Sequence, residues 1–226
     1  IVSNPGGDFL QNWHPEGKSI LYSRAVNDTL SNYYKNNRIF IYALASGTTR
    51  EVLTTVDEMK NIFDWNSSGI VYGRNKKMKN AVYLFNPTNG TTTEIETGMD
   101  IPGFISMSKD GSAMAVSGRN FDQLNEIWTG KTGTKPVRIT DMSSQLKSWK
   151  LPINEIISWK SKDGAEIEGV LLKPADYDAK KKYPLLVIIH GGPTGTDRPE
   201  PAPSYVYPMM QWCEKGALIL RVNYRG

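Results

Sequence analysis

Ala81-Val82-Tyr83-Leu84-Phe85, followed by a polar turn that reaches Gly90, is the stretch whose counterparts elsewhere in the chain decide the fold. Five consecutive apolar and aromatic residues closed by a glycine turn read as a β-strand followed by a reversal. The arrangement recurs on either side, as Arg38-Ile39-Phe40-Ile41-Tyr42 before Gly47 and as Glu126-Ile127-Trp128 before Gly133. Gly47, Gly90 and Gly133 are each 43 residues apart. A second series lies upstream in each unit: Trp13-His14-Pro15-Glu16-Gly17-Lys18-Ser19-Ile20, Trp65-Asn66-Ser67-Ser68-Gly69-Ile70, and Ser108-Lys109-Asp110-Gly111-Ser112-Ala113. Its glycines are 52 and 42 residues apart, and the surplus in the first interval fits an insertion near Asn27 to Asn37.

Each unit therefore reads as four short strands joined by turns. Four strands in about 43 residues is the period of a β-propeller blade, a sheet that cannot cover both of its faces and must stack on a neighbour. Propellers close with about four to eight blades, so three imply further blades upstream. Three hairpin pairs in an ordinary sandwich are the competing reading, but a sandwich does not require an equal period.

Asp141 to Pro152 departs from the repeat. The expected organisation is a partial propeller over 1–140, a linker over 141–152, and from 153 to 226 the truncated start of an α/β domain. Glu155-Ile156-Ile157-Ser158-Trp159 and Ile167-Glu168-Gly169-Val170-Leu171-Leu172, separated by Lys162-Asp163-Gly164, form a hairpin by spacing and turn chemistry. Leu185 to Ile189 and Ala217 to Val222 are continuous apolar runs of the kind buried on both faces of an α/β sheet, with a helix expected between them around Tyr207 to Lys215.

The sharpest chemical signal is His190-Gly191-Gly192-Pro193, directly after the apolar strand. Acyl-transfer hydrolases stabilise the oxyanion of a tetrahedral intermediate with preorganised backbone N–H groups. In α/β-hydrolases one of these comes from the loop after the third strand, where HGGG-type sequences occur. The stretch is third in strand count from Glu155, so His190, Gly191 and Gly192 are the candidate oxyanion loop. A tight strand-to-loop turn is the structural alternative.

Read together, the blades, the hairpin and Tyr183-Pro184-Leu185-Leu186-Val187-Ile188-Ile189-His190-Gly191-Gly192-Pro193 resemble the prolyl oligopeptidase family, in particular its acylaminoacyl peptidase and dipeptidyl peptidase branches. Trp159-Lys160-Ser161-Lys162-Asp163-Gly164, Ile167 to Pro174, and Gly216-Ala217 leading to Asn223-Tyr224-Arg225-Gly226 extend the likeness. The resemblance implies a serine peptidase of short peptides, a propeller capping an α/β-hydrolase domain, and a Ser, Asp, His triad between them. It also implies that the Gly192 N–H is an oxyanion donor, with His190 as the neighbouring pocket side chain. No Gly-x-Ser-x-Gly occurs, so the triad is expected beyond Gly226 and the fragment alone is expected to be inactive. An esterase of the same hydrolase fold and a noncatalytic propeller binding module are the alternatives. The repeat favours the peptidase, and residues 153–226 argue against a pure binding module.

The remaining composition narrows the partners. With 27 basic and 23 acidic residues, the net charge of +4 does not argue for nucleic acid, and the lysines at 76, 77, 79 and 180–182 read as solvated loops. One cysteine, Cys213, and two histidines exclude an internal disulfide and leave little stock for a metal; no cofactor is expected. No run approaches the roughly 20 apolar residues of a membrane span. Ile1 to Pro5 carries no initiator Met or signal pattern, and compartment cannot be read. The expected partners are short peptide substrates and the remainder of the same protein, with homo-oligomerisation left open. Structural roles are expected for His14, for Trp13, Trp65 and Trp128 as packing between blades, for Cys213 as a small buried hydrophobe, and for Arg221 and Arg225 as ion-pair partners. Asp8, Asp28, Glu58 and Asp122 are too scattered for an acid–base pair.

Overall fold

The computed structural model describes residues 6–25, 36–56, 60–192, 195–203 and 206–224. Most of the expected insertion, together with Ile1 to Pro5, Asp28, Glu58, Pro193, Arg225 and Gly226, lies outside the described residues. The chain divides into two compact units, residues 1–118 with 127–140, and residues 119–126 with 141–226.

The first unit is built on the repeat. β1 (Asp8–Trp13), β2 (Ser19–Arg24), β3 (Arg38–Ala43) and β4 (Thr48–Val52) form one four-stranded antiparallel sheet in sequence order. β5 (Asn61–Asn66), β6 (Gly69–Lys76), β7 (Lys79–Phe85) and β8 (Thr92–Ile95) form the second. β9 (Ile101–Met107), β10 (Ala113–Arg119), β11 (Glu126–Lys131) and β12 (Val137–Arg138) form the third, again ordered along the chain. The likeness reaches fine detail: β1 and β5 each break register near one residue, Gln11 and Phe63, which lie 52 positions apart.

The two glycine series behave differently. Gly47, Gly90 and Gly133 all take left-handed backbone, with φ of 67°, 76° and 82°. In the other series Gly17 and Gly111 are true counterparts, since each donates its N–H over 2.8 Å to the carbonyl of the residue three before it, His14 and Ser108. Gly69 is not their equivalent. It pairs with Asn66 across a tighter turn and has φ of 143°, because the second sheet closes the corner with two fewer residues.

Alternation of side chains explains how the sheets stack. On one face of the second sheet Ile70, Tyr72, Ala81, Tyr83 and Phe85 pack with Leu21, Ile39, Ile41 and Val52 of the first. From the other face Val71 and Val82 pack with Ile105, Met114 and Val116 of the third. Tyr72 and Tyr83, directly opposed in register, stack with ring centroids 5.4 Å apart. Each large apolar side chain buried in this way contributes about 1.5–3 kcal/mol. Trp65 belongs to this core, edge-on to the His14 ring at 4.9 Å. Trp13, expected to pack between blades, is instead 54 % exposed on β1, the edge strand of its sheet.

Turns of neighbouring sheets also touch. The Ser68 hydroxyl donates to the Asp110 carbonyl over 3.1 Å, and the Asp110 carboxylate accepts from the Ser108 hydroxyl at 2.6 Å and the Ser112 N–H at 3.1 Å. Those bonds, led by the one from Ser108, hold the Asp110 carboxyl down to about 2.

The second unit contains a mixed sheet. β13 (Ile153–Lys160) and β14 (Glu166–Lys173) form the expected hairpin, with Gly164 at φ 84° in its turn. β15 (Leu185–Ile189), the helix α1 (Met209–Glu214) and β16 (Leu218–Asn223) follow, giving the order β13-β14-β16-β15. β16 runs antiparallel to β14 and parallel to β15, so β15, α1 and β16 make a crossover unit. The two apolar runs have different fates. β16 is interior, with Ile219 fully buried, whereas Leu185, Val187 and Ile189 of β15 are 52 %, 52 % and 69 % exposed. Expectation had both strands buried on both faces; within these 226 residues β15 is the edge strand of its sheet and its side chains are exposed. A 3-10 helix at Met142–Leu146 is capped by Glu126, which is 1 % exposed and accepts from the N–H groups of Met142 and Ser143.

Gly69→Ala places a Cβ 2.4 Å from the Phe85 carbonyl oxygen at a backbone angle that disfavours side chains, and denaturant unfolding is expected to show a loss of about 3 kcal/mol. At Gly17→Ala, where nothing lies within 4 Å, a loss of about 1 kcal/mol is expected. In a carboxyl-resolved NMR titration Asp110 is expected to have its midpoint near 2, moving toward the ordinary 3.8 in Ser108→Ala. Because this carboxyl is depressed in the folded state, its stabilisation is complete above the unfolded value and is lost as pH falls from about 4 through 2.

Candidate oxyanion loop

The loop that begins at His190 emerges from the carboxyl end of β15, beside the end of its parallel partner β16. Carboxyl ends of parallel strands are where open α/β sheets bind ligands, because the connecting loops converge there. Ile189 pairs with Val222, so His190 and Asn223 are the next residues of their strands.

His190 is held on three sides. Its ring stacks on Tyr224 with centroids 4.6 Å apart and planes 20° from parallel. Its carbonyl accepts a 2.7 Å bond from the Tyr224 hydroxyl. Its Nδ1 lies 3.1 Å from the Gly191 carbonyl, which can only accept, so Nδ1 carries the proton in this bond. Nε2 is buried and has no hydrogen-bond partner among the described residues. Gly191 and Gly192 are exposed, nothing lies within 4 Å of where a Cβ would stand on either, and Gly192 has the left-handed φ of 60°. A backbone bare of side chains at a strand end can come within hydrogen-bonding distance of a ligand. Gly195 closes the turn by donating to the Gly192 carbonyl at 2.6 Å.

The returning arm of the loop is tied to β16. Arg221, 8 % exposed, donates to the Asp197 carboxylate at 2.8 Å, the Glu200 carboxylate at 3.0 Å and the Arg198 carbonyl at 3.2 Å. Buried ion pairs of this sort are held by the hydrogen bonds around them, and removing one partner strands the other. Asn223 adds a two-way bond to the backbone of Asp197, accepting its N–H at 2.7 Å and donating to its carbonyl at 2.9 Å. Arg221 is therefore an ion-pair residue, as expected. Sequence reading did not single out Asp197, Glu200, Asn223 or Tyr224 for this site; the usable signal was the alternation of Arg221 and Asn223 on one face of a strand that ends at the loop.

The other candidate residues lie elsewhere. His14 belongs to the first unit, where its Nδ1 accepts the Glu16 N–H in a turn. Burial pushes the Cys213 thiol up to about 11, which fits a small buried hydrophobe and not a nucleophile. Among the described residues no group of three or more His, Cys, Asp or Glu is placed to hold a metal ion, and no helix is long and apolar enough to cross a membrane.

No protein-family model matches the chain. Over 226 residues it is 24 % identical to dipeptidyl-peptidase 5 of Porphyromonas gingivalis, an alignment that covers 98 % of the chain and 32 % of that protein. Among solved structures it superposes on Pyrococcus horikoshii acylaminoacyl peptidase with a TM-score of 0.70 at 21 % identity, covering 92 % of the chain and 31 % of the other. Dipeptidyl peptidase 4 of P. gingivalis gives a TM-score of 0.70 at 16 % identity, covering 95 % of the chain and 30 % of the other. The chain thus spans about a third of the length of the relatives it matches. With sheets built as propeller blades are built, and with these alignments running through nearly all of its residues, the chain takes its likeness from the serine peptidases of the prolyl oligopeptidase family.

Proposed function

We propose that the chain is the propeller and oxyanion-loop portion of a serine peptidase that hydrolyses short peptides by acyl transfer. In this reading residues 1–140 are part of a β-propeller domain, 141–152 link it onward, and 153–226 begin the α/β-hydrolase domain. The observation that carries it is a His-Gly-Gly turn at the carboxyl end of a parallel strand in a β-α-β crossover, with Gly192 in the left-handed region and free of steric cover.

The chemistry follows from that placement. Attack of a serine hydroxyl on a peptide carbonyl turns the carbonyl oxygen into an oxyanion, and a fixed backbone N–H stabilises it without reorganising. The Gly192 N–H takes that role. A side chain there would crowd the carbonyl it must approach, which is the reason for glycine. His190 lines the pocket, held there by the bond from its Nδ1–H to the Gly191 carbonyl and by the bond its own carbonyl accepts from Tyr224. The nucleophile, its base and the orienting acid come from residues outside 1–226, since this sequence holds no Gly-x-Ser-x-Gly. The dipeptidyl and acylaminoacyl peptidases among the relatives support short peptides as the substrate class. The 226 residues by themselves are inactive.

A fluorophosphonate probe followed by mass spectrometry tests this. The full-length protein is expected to acquire one serine adduct and to release amine from short peptide amides, and residues 1–226 alone are expected to do neither. Full-length protein that takes no adduct and turns over no peptide would overturn the assignment, and so would turnover by the isolated 226 residues.

A further inference from the structure

The loop's donor must be aimed as well as exposed. A trans peptide is planar, so the Gly192 N–H points opposite to the Gly191 carbonyl. That carbonyl is bonded by His190 Nδ1–H at 3.1 Å, and the His190 ring is in turn laid flat on Tyr224. The preceding peptide plane is fixed the same way, because the Tyr224 hydroxyl bonds the His190 carbonyl at 2.7 Å. Two consecutive peptide planes thus take their direction from one tyrosine. The returning arm cannot drift, since Asn223 grips both backbone groups of Asp197 and Arg221 grips the Asp197 and Glu200 carboxylates.

Resting on the peptidase reading above, we infer that Asn223 and Tyr224, with Arg221 behind them, form a clamp at the end of β16 that aims the Gly192 N–H at the developing oxyanion. They are positioning residues and touch no substrate. Arg221 and Asn223, two apart on a strand, face the same side and hold the returning arm; Tyr224, one residue past the strand, holds the outgoing arm. The clamp acts through the transition state, because a misdirected donor weakens the bond to the oxyanion more than the bond to the uncharged ground-state carbonyl.

The test uses the full-length protein with Tyr224→Phe and Asn223→Ala, each assayed on a short peptide amide. Tyr224→Phe keeps the ring on His190 and removes only the hydroxyl, so its melting temperature is expected to stay within a few degrees of wild type. Outright loss of an oxyanion donor lowers kcat by about 10²–10³, and a donor left in place but misaimed is expected to lose about tenfold, with KM within about twofold. Asn223→Ala is expected to show the same split, and if it fails to fold, Tyr224→Phe alone decides. A Tyr224→Phe enzyme with kcat within twofold of wild type, or with its loss confined to KM, would overturn the clamp. Absence of turnover and of the serine adduct in the wild-type protein would instead overturn the peptidase reading, so the two failures are told apart.

Discussion

A four-stranded sheet with apolar residues on both faces cannot keep both from water, and everything in the first unit follows from that. The second sheet meets the constraint most fully. Ile70, Tyr72 and Phe85 point one way and Val71 and Val82 the other, and a neighbouring sheet covers each set. The repeat in the sequence is the one-dimensional record of this stacking: the four-strand order and the left-handed glycines at 47, 90 and 133 return because each sheet must present similar surfaces to its neighbours. Departures occur where a sheet corner is free to differ, as at Gly69, where two fewer residues close the turn and the glycine moves to a different backbone angle.

The second unit obeys a different constraint. Its strands are not joined as a simple meander after the hairpin; β16 inserts between β14 and β15, and the chain passes through α1 to reach it. That crossover brings two carboxyl strand ends side by side, and the loop from His190 is anchored to both. Buried charge supports the arrangement. Arg221 lies almost entirely out of water, and its two carboxylate partners come from the loop itself, so the loop and strand order each other.

Several features are legible in the order of residues alone. The runs before Gly47, Gly90 and Gly133 mark β3, β7 and β11, and the Lys162-Asp163-Gly164 turn marks the hairpin, because strand periodicity and left-handed glycines are local properties. Other features are not local. Within these 226 residues Leu185 to Ile189, with the composition of a doubly buried strand, forms a sheet edge, and Trp13, with the residue type of a packing position, lies on an edge strand. Burial depends on which strand has neighbours, and composition does not carry that information.

The sequence by itself determined the repeat, the four-strand unit, the departure from the repeat after residue 140 and the glycine turns that follow β3, β7 and β11, since each depends on residues close together in the chain. It also marked His190, Gly191 and Gly192 as a candidate oxyanion turn, through residue type and strand order. Only the tertiary structure decided that β16 lies between β14 and β15, that Tyr224 reaches back 34 positions to the His190 carbonyl, and that Asn223 and Arg221 reach back 26 and 24 to Asp197. These contacts join residues distant along the chain, and no local pattern announces them, because the parallel crossover that makes them neighbours is fixed by packing between elements and not within them.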